Sequence, residues 1–112
     1  MKISEWQKEV DEWIHNHGVR YFEVKTNTLL LTEEVGEFTR LIARKYGEQS
    51  FKHEISNEEV KNKIAEEMSD ILFVLTCLAN QMDIDLTHEL RRNILKKTRR
   101  DAQRHLKNEK LK

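Results

Sequence analysis

The sequence predicts an all-α, four-helix bundle-like domain, and three observations support this. The 112 residues contain no proline and only three glycines, so little in the chain would interrupt a helix. Apolar residues recur at helical spacing over most of the length. Residues that favour helix N-termini stand before several of these periodic segments. A chain of this length can bury one core, and we expect a single domain over residues 1–112.

Four helices follow from these patterns. The first is expected at about 4–17, where Ser4 and Gln7 form a capping box and Gly18 ends the helix. The second is expected at about 26–46 and ends before Gly47. The third is expected at about 56–82, with Ser56 as its cap. The fourth follows Asp85 and becomes wholly polar, so we expect the tail after about Arg104 to fray or to meet a partner subunit.

The composition excludes several classes of protein. Lysine plus arginine equals aspartate plus glutamate, at 20 each, which argues against a general binder of nucleic acid or anionic membranes. The single cysteine, Cys77, lies in an apolar run, so we interpret it as a packed residue in a reducing compartment. No segment has the apolar length of a secretion signal or membrane span, and a cytoplasmic location is expected.

Two clusters of acidic residues occupy positions where a helix should be apolar. At about 100° per residue, Glu34 and Glu37 fall on the same stripe as Leu30 and Leu41. The third helix repeats the pattern, because its acids share a stripe with Val60, Val74 and Leu78. The clusters are Glu33, Glu34 and Glu37 on the second helix, and Glu66, Glu67 and Asp70 on the third.

These carboxylates can be buried together between two helices only if a cation compensates their negative charge. Lys63 is the nearest basic residue to these stripes, and it lies on one helix only. Oxygen ligands favour Mg²⁺, Mn²⁺ or Ca²⁺ over zinc or copper. A di-iron bundle would need Glu-x-x-His motifs, and neither cluster contains a histidine. Magnesium commonly takes phosphate oxygens as further ligands, so phosphate chemistry is the expected use.

The two acidic motifs resemble those of the MazG-type nucleoside triphosphate pyrophosphohydrolases. The E-E-x-x-E motif stands at 33–37 and the E-x-x-D motif at 67–70. The family's lysine, followed four residues later by arginine and then aspartate, is matched by Lys96, Arg100 and Asp101. Lys97 stands where the family usually has an aromatic residue.

The resemblance implies hydrolysis of a (deoxy)nucleoside triphosphate to the monophosphate and pyrophosphate, possible house-cleaning of non-canonical nucleotides, and dependence on Mg²⁺, for which Mn²⁺ can substitute. Lys96 and Arg100 would bind phosphate, and Glu33 or Glu34 would accept the proton of the attacking water. Glu33 and Glu66 would flank the metal site, contacting a second ion or orienting that water. The implied metal ligands are Glu34, Glu37, Glu67 and Asp70, and Glu33 joins them as the implied catalytic set.

Aromatic residues near the N-terminus are candidates for stacking on the base. Trp6, Tyr21 and Phe22 are the candidates, with Trp13 beside them. The spacing of seven residues between the two tryptophans is more typical of a core stripe. The basic run from Arg91 to Arg104 is alternatively only a solvated face.

Apolar residues lie on more than one side of each long helix, which predicts a homodimer or homotetramer formed through these helices. Leu29 and Val35 lie off the main stripe of the second helix, and Phe73 and Cys77 lie on a flank of the third.

Two alternatives remain for the function. One is a relative that hydrolyses phosphoribosyl-ATP or dUTP, and the other is a non-catalytic, metal-binding helical interaction module.

Overall fold

The computed structural model describes residues 1–112 and contains four α-helices and no strands. The predicted all-α class is confirmed, and each predicted helix is present within a few residues of its expected bounds. The helices are α1 (Ile3–Trp13, continued by a π-helical turn at Ile14–Gly18), α2 (Val24–Tyr46), α3 (Asn57–Gln81) and α4 (Leu86–Leu106), followed by a 3-10 turn at Glu109–Leu111.

Local capping accounts for three of the helix starts. Ser56 accepts a hydrogen bond from the Glu59 amide (3.1 Å), and Asp85 accepts one from the His88 amide (3.3 Å), as expected. The Ser4 capping box is wrong, because α1 begins one residue earlier. There the Lys2 amide donates to Glu5 Oε2 (3.3 Å).

The most extensive packing in the molecule is between α2 and α3, which form an antiparallel hairpin. At one end, the buried Asn27 donates from Nδ2 to Gln81 Oε1 (2.8 Å). At the other end, Arg44 and Lys63 line the same cleft. This pairing aligns the two acidic motifs across one interface.

A small core joins α1 to α3. Val10, Ile14 and Cys77 are buried there, and Trp6 and Phe73 pack against them. Burial raises the pKa of the Cys77 thiol to about 11, so this cysteine is a packed residue rather than a nucleophile.

Gln7 connects α1 to the turn between α3 and α4. Its Nε2 donates to Asn80 Oδ1 (3.1 Å) and to the Ile84 carbonyl (2.9 Å). The Leu86 amide donates to Gln7 Oε1 (2.9 Å), and Asn80 Nδ2 donates to the Gln7 carbonyl (2.9 Å). The start of α4 is therefore positioned by one side chain of α1, which explains why Gln7 takes no part in capping.

The chain is more open than a closed four-helix bundle. Only nine of 112 residues are buried, and α4 contributes none of them. The radius of gyration is 18.0 Å, against about 13 Å for a compact domain of this length. Because α4 packs mainly on α1, it projects from the α2–α3 hairpin. None of the helices combines the length and apolar character that crossing a bilayer requires.

The fully buried Thr76 offers a test of the α1–α3 contact. Its Oγ1 accepts from Trp6 Nε1 (2.8 Å) and donates to the Leu72 carbonyl (2.7 Å). Thr76→Val keeps the shape but leaves the indole N–H unpaired, so we expect a loss of about 1–2 kcal/mol in the free energy of unfolding by urea. Thr39→Val is the matched control, because exposed Thr39 bonds only to its own helix. Equal losses in both variants would contradict this account.

Candidate active site

Three carboxylates converge at the centre of the α2–α3 interface. One oxygen from each of Glu34, Glu67 and Asp70 lies within 4.8 Å of the others. Glu34 and Glu67 are half-buried, whereas Asp70 is exposed. The hairpin register produces this arrangement, because it sets the third turn of α2 opposite the middle of α3.

The two half-buried acids lack a partner on their inner side. Oε2 of Glu34 and Oε2 of Glu67 are shielded from solvent, and neither accepts a hydrogen bond from a protein donor. The pKa of Glu67 is raised to about 7. The main cause is a hydrogen bond that the protonated carboxyl can make to Glu34, and burial and the nearby Glu37 add to it. The interface therefore requires either a proton or a cation between these oxygens.

A divalent metal ion fits this group of residues. The donors are oxygens only, they come from two helices, and one face is open to solvent at Asp70. Glu37, the fourth predicted ligand, lies outside this group of three and lines one cleft with Glu67. Glu33 is exposed, one residue before Glu34.

Basic residues adjoin the acids in a cleft of about 310 Å³ between α2 and α3. Two of them, Arg40 and Arg44, were not predicted from the sequence, which indicated only Lys63 near the acidic stripes. The signal was present in their spacing, because they follow Glu37 by three and seven residues on one helix face. The cleft is lined by Glu37, Arg40, Leu41, Arg44, Lys63, Glu66 and Glu67.

Lys96 and Arg100 lie elsewhere in the chain, on the projecting α4. They lie on an open surface of α4, and neither lines the cleft beside the carboxylates. Arg100 donates from Nη2 to Asp101 Oδ2 (2.8 Å), and this contact lowers the pKa of Asp101. Within one chain, the structure does not bring these two cations to the carboxylates, and their role in phosphate binding stays a prediction.

The aromatic candidates have different environments. Trp6 packs against the core, and its indole N–H donates a hydrogen bond to Thr76. Tyr21 donates to Asp11 (2.6 Å) and accepts from Asn80 (3.0 Å), whereas Phe22 is exposed. Trp13 was expected on the core stripe, but it is 50% exposed and its ring stacks on that of His17. The structure thus leaves Trp13 and Phe22 as the accessible rings.

Comparisons with known proteins agree with this geometry. The family model of the MazG nucleotide pyrophosphohydrolase domain matches residues 22–105 of this chain. The matched range includes both acidic motifs, Lys96 and Arg100. The YpjD protein of Bacillus subtilis (strain 168) is 39% identical over 107 residues, covering 96% of this chain and 93% of that protein.

Two solved structures are also similar. The crystal structure of YpjD from Bacillus subtilis has a TM-score of 0.74 at 35% identity, covering 86% of this chain and 94% of that one. A Bacillus-conserved MazG protein, described as a nucleotide pyrophosphohydrolase, has a TM-score of 0.66 at 35% identity and covers 88% of each chain.

An all-helical hydrolase that acts on nucleotide pyrophosphate bonds is the class that fold and motifs define together. The chain belongs to the MazG nucleotide pyrophosphohydrolase family. The expectation of an enzyme acting on a nucleotide is confirmed.

The raised pKa of Glu67 predicts how the metal-free protein responds to pH. The folded state binds a proton with a pKa of about 7, whereas the ordinary value is 4.5. The stabilising contribution of this proton is present at about pH 4.5 and is lost as the pH rises through about 7. Denaturant unfolding in a chelator should show lower stability at about pH 8 than at about pH 5, and Glu67→Gln should reduce this slope. An unchanged slope in the variant would assign the pH dependence to other groups.

Proposed function

We propose that the protein is a Mg²⁺-dependent nucleotide pyrophosphohydrolase that converts (d)NTP to (d)NMP and pyrophosphate. The observation that carries the proposal is the pair of shielded, unpartnered oxygens of Glu34 and Glu67, beside Asp70. Glu34, Glu37, Glu67 and Asp70 would hold the metal. Mn²⁺, which also accepts oxygen ligands, would substitute for it.

The reaction breaks one phosphoric anhydride bond. The oxygen of a water molecule forms a bond to the α-phosphorus, and the bond from that phosphorus to the bridging oxygen of the β-phosphate breaks. Pyrophosphate leaves with the electron pair. When bound, the divalent ion would neutralise the phosphates and lower the pKa of a bound water.

The chain's own carboxylates handle the proton. Glu33 or Glu34 would accept the proton that the attacking water releases. Glu33 is exposed beside the cluster and has no ion-pair partner. Glu34 already directs one oxygen into the interface. We therefore propose that Glu34 acts mainly as a metal ligand and that Glu33 accepts the proton of the attacking water.

The substrate separates this proposal from its alternatives. We propose house-cleaning of non-canonical nucleotides, and phosphoribosyl-ATP and dUTP remain the rival substrates. A pyrophosphate-release screen over canonical dNTPs, modified dNTPs, dUTP and phosphoribosyl-ATP, with Mg²⁺, decides among them. A modified dNTP should give the highest kcat/KM, whereas a clear preference for phosphoribosyl-ATP or dUTP would replace this assignment.

Neutral isosteres test the metal site. Glu34→Gln and Asp70→Asn should lower kcat by about a hundredfold or more, because each removes charge that faces the metal. Both should also weaken Mn²⁺ binding measured by calorimetry without substrate. Glu9→Gln is the control, an exposed acid on α1. Full metal affinity in both site variants would refute the site.

We also propose a homodimer or homotetramer. The open shape and the scarcity of buried residues leave apolar side chains on the projecting α4 without cover. Leu90, Ile94 and Leu95 are each at least half exposed. In such an assembly, α4 of one subunit could reach the acids of another, which would give Lys96 and Arg100 a route to the substrate.

Disrupting the apolar face of α4 tests the assembly. Ile94→Asp should lower the mass measured by light scattering, because it places a charge where an apolar contact is expected. Gln103→Asp adds the same charge on the opposite side of α4 and should leave the mass unchanged. A wild-type mass of 13.5 kDa, with full activity at nanomolar concentration, would contradict the proposal.

A further inference from the structure

We propose that Arg40, Arg44 and Lys63 form a binding site for the pyrophosphate end of the nucleotide, the β- and γ-phosphates. This inference rests on the proposed function and adds a residue set to it. The site differs from the Lys96–Arg100 pair because it lies on the same two helices as the carboxylates.

The position of the three cations follows from the antiparallel hairpin. On α2, Arg40 and Arg44 follow Glu37 by about one and two turns, and on α3, Lys63 precedes Glu67 by about one turn. Because the helices run in opposite directions, all three lie on the side of the acids that faces the α2–α3 loop. Arg44 and Lys63 also line an adjoining cleft of about 360 Å³ against that loop.

None of the three cations has a carboxylate partner. The ion pairs of the structure lie in α1, in α4 and at the C-terminus. Arg44 is half-buried between the two clefts, and yet no acid lies within ion-pair distance of it. A partly desolvated guanidinium without a partner is suited to an anion that comes from outside. Arg100, by contrast, is already held by Asp101.

The chemistry of the ligand matches this lining. A polyphosphate carries several negative charges, and arginine binds phosphate oxygens with two parallel donors. Charge accumulates on pyrophosphate as its bond to the α-phosphorus breaks, so cations placed there stabilise the transition state as well as the substrate. The acids next to them would repel a free phosphate chain. The cleft is therefore suited to a polyphosphate that is complexed with a divalent metal ion.

This assignment fixes the direction of the substrate along the hairpin. The α-phosphorus lies at the carboxylates and the pyrophosphate points towards the α2–α3 loop. The nucleoside must then extend the other way, towards Phe73, which follows Asp70 by three residues. The Phe73 and Trp13 rings meet edge to face at that end, 5.7 Å apart.

The test is pyrophosphate binding measured by calorimetry in the presence of Mg²⁺, which needs no turnover. The triple variant Arg40→Gln, Arg44→Gln, Lys63→Gln should weaken pyrophosphate binding by about tenfold or more, because charged donors are removed. It should also raise KM for the nucleotide. The matched control Lys25→Gln, Lys45→Gln, Lys61→Gln removes the same number of charges from the same helices, at positions that do not line the cleft, and should bind as the wild type does.

A triple variant that is folded by circular dichroism and binds pyrophosphate as tightly as the wild type overturns the inference, even where the wild type hydrolyses nucleotides. Loss of binding in Lys96→Gln, Arg100→Gln, with none in the triple variant, overturns it in favour of α4. If the triple variant does not fold, the exposed single variants Arg40→Gln and Lys63→Gln replace it, each with about threefold weaker binding expected. The proposed function fails separately, if the wild type releases no pyrophosphate from any nucleotide.

Discussion

Two carboxylates that face each other across the α2–α3 interface are the constraint on which the rest of the structure depends. Glu34 and Glu67 direct oxygens into a helix contact that contains no donor for them. The two negative charges therefore repel each other inside the hairpin, and a proton on Glu67 or a bound cation removes this repulsion. The same packing that builds the fold also prepares the metal site. Apolar neighbours on both stripes hold the acids together, and their mutual repulsion favours any ion that joins them.

Much of this arrangement could be predicted from the sequence because it is local. Helical periodicity predicted the four helices, and the position of Glu34 and Glu67 on apolar stripes predicted that they face an interior. The start of α1 could not be predicted, because Gln7 is engaged by Asn80 and Leu86, more than 70 residues away. The exposure of Trp13 has a similar cause. Its spacing from Trp6 is that of a core stripe, but α1 contacts only part of α3, so the second ring extends beyond the core.

The cations show a further limit of sequence patterns. Lys96 and Arg100 were the basic residues that the family pattern brought forward, and they lie on a helix that leaves the hairpin. Arg40 and Arg44 belong to no motif, but they follow Glu37 along one face of α2. A pattern identifies residue types at fixed spacing, whereas the register of two helices decides which charges become neighbours. The two basic sets are compatible, since one belongs to the hairpin and the other would reach an acidic site only in another subunit.

The attachment of α4 has a mechanical consequence. This helix of 21 residues is about 30 Å long. It is anchored chiefly at its first residue, Leu86, because Gln7 bonds to Leu86 and to Asn80 and Ile84 just before the helix. Such a helix acts as a lever. A tilt of about 10° at the anchor moves its far end by about 5 Å, more than the length of a hydrogen bond. The reach of its basic residues is thus set by the geometry of one glutamine at the opposite end.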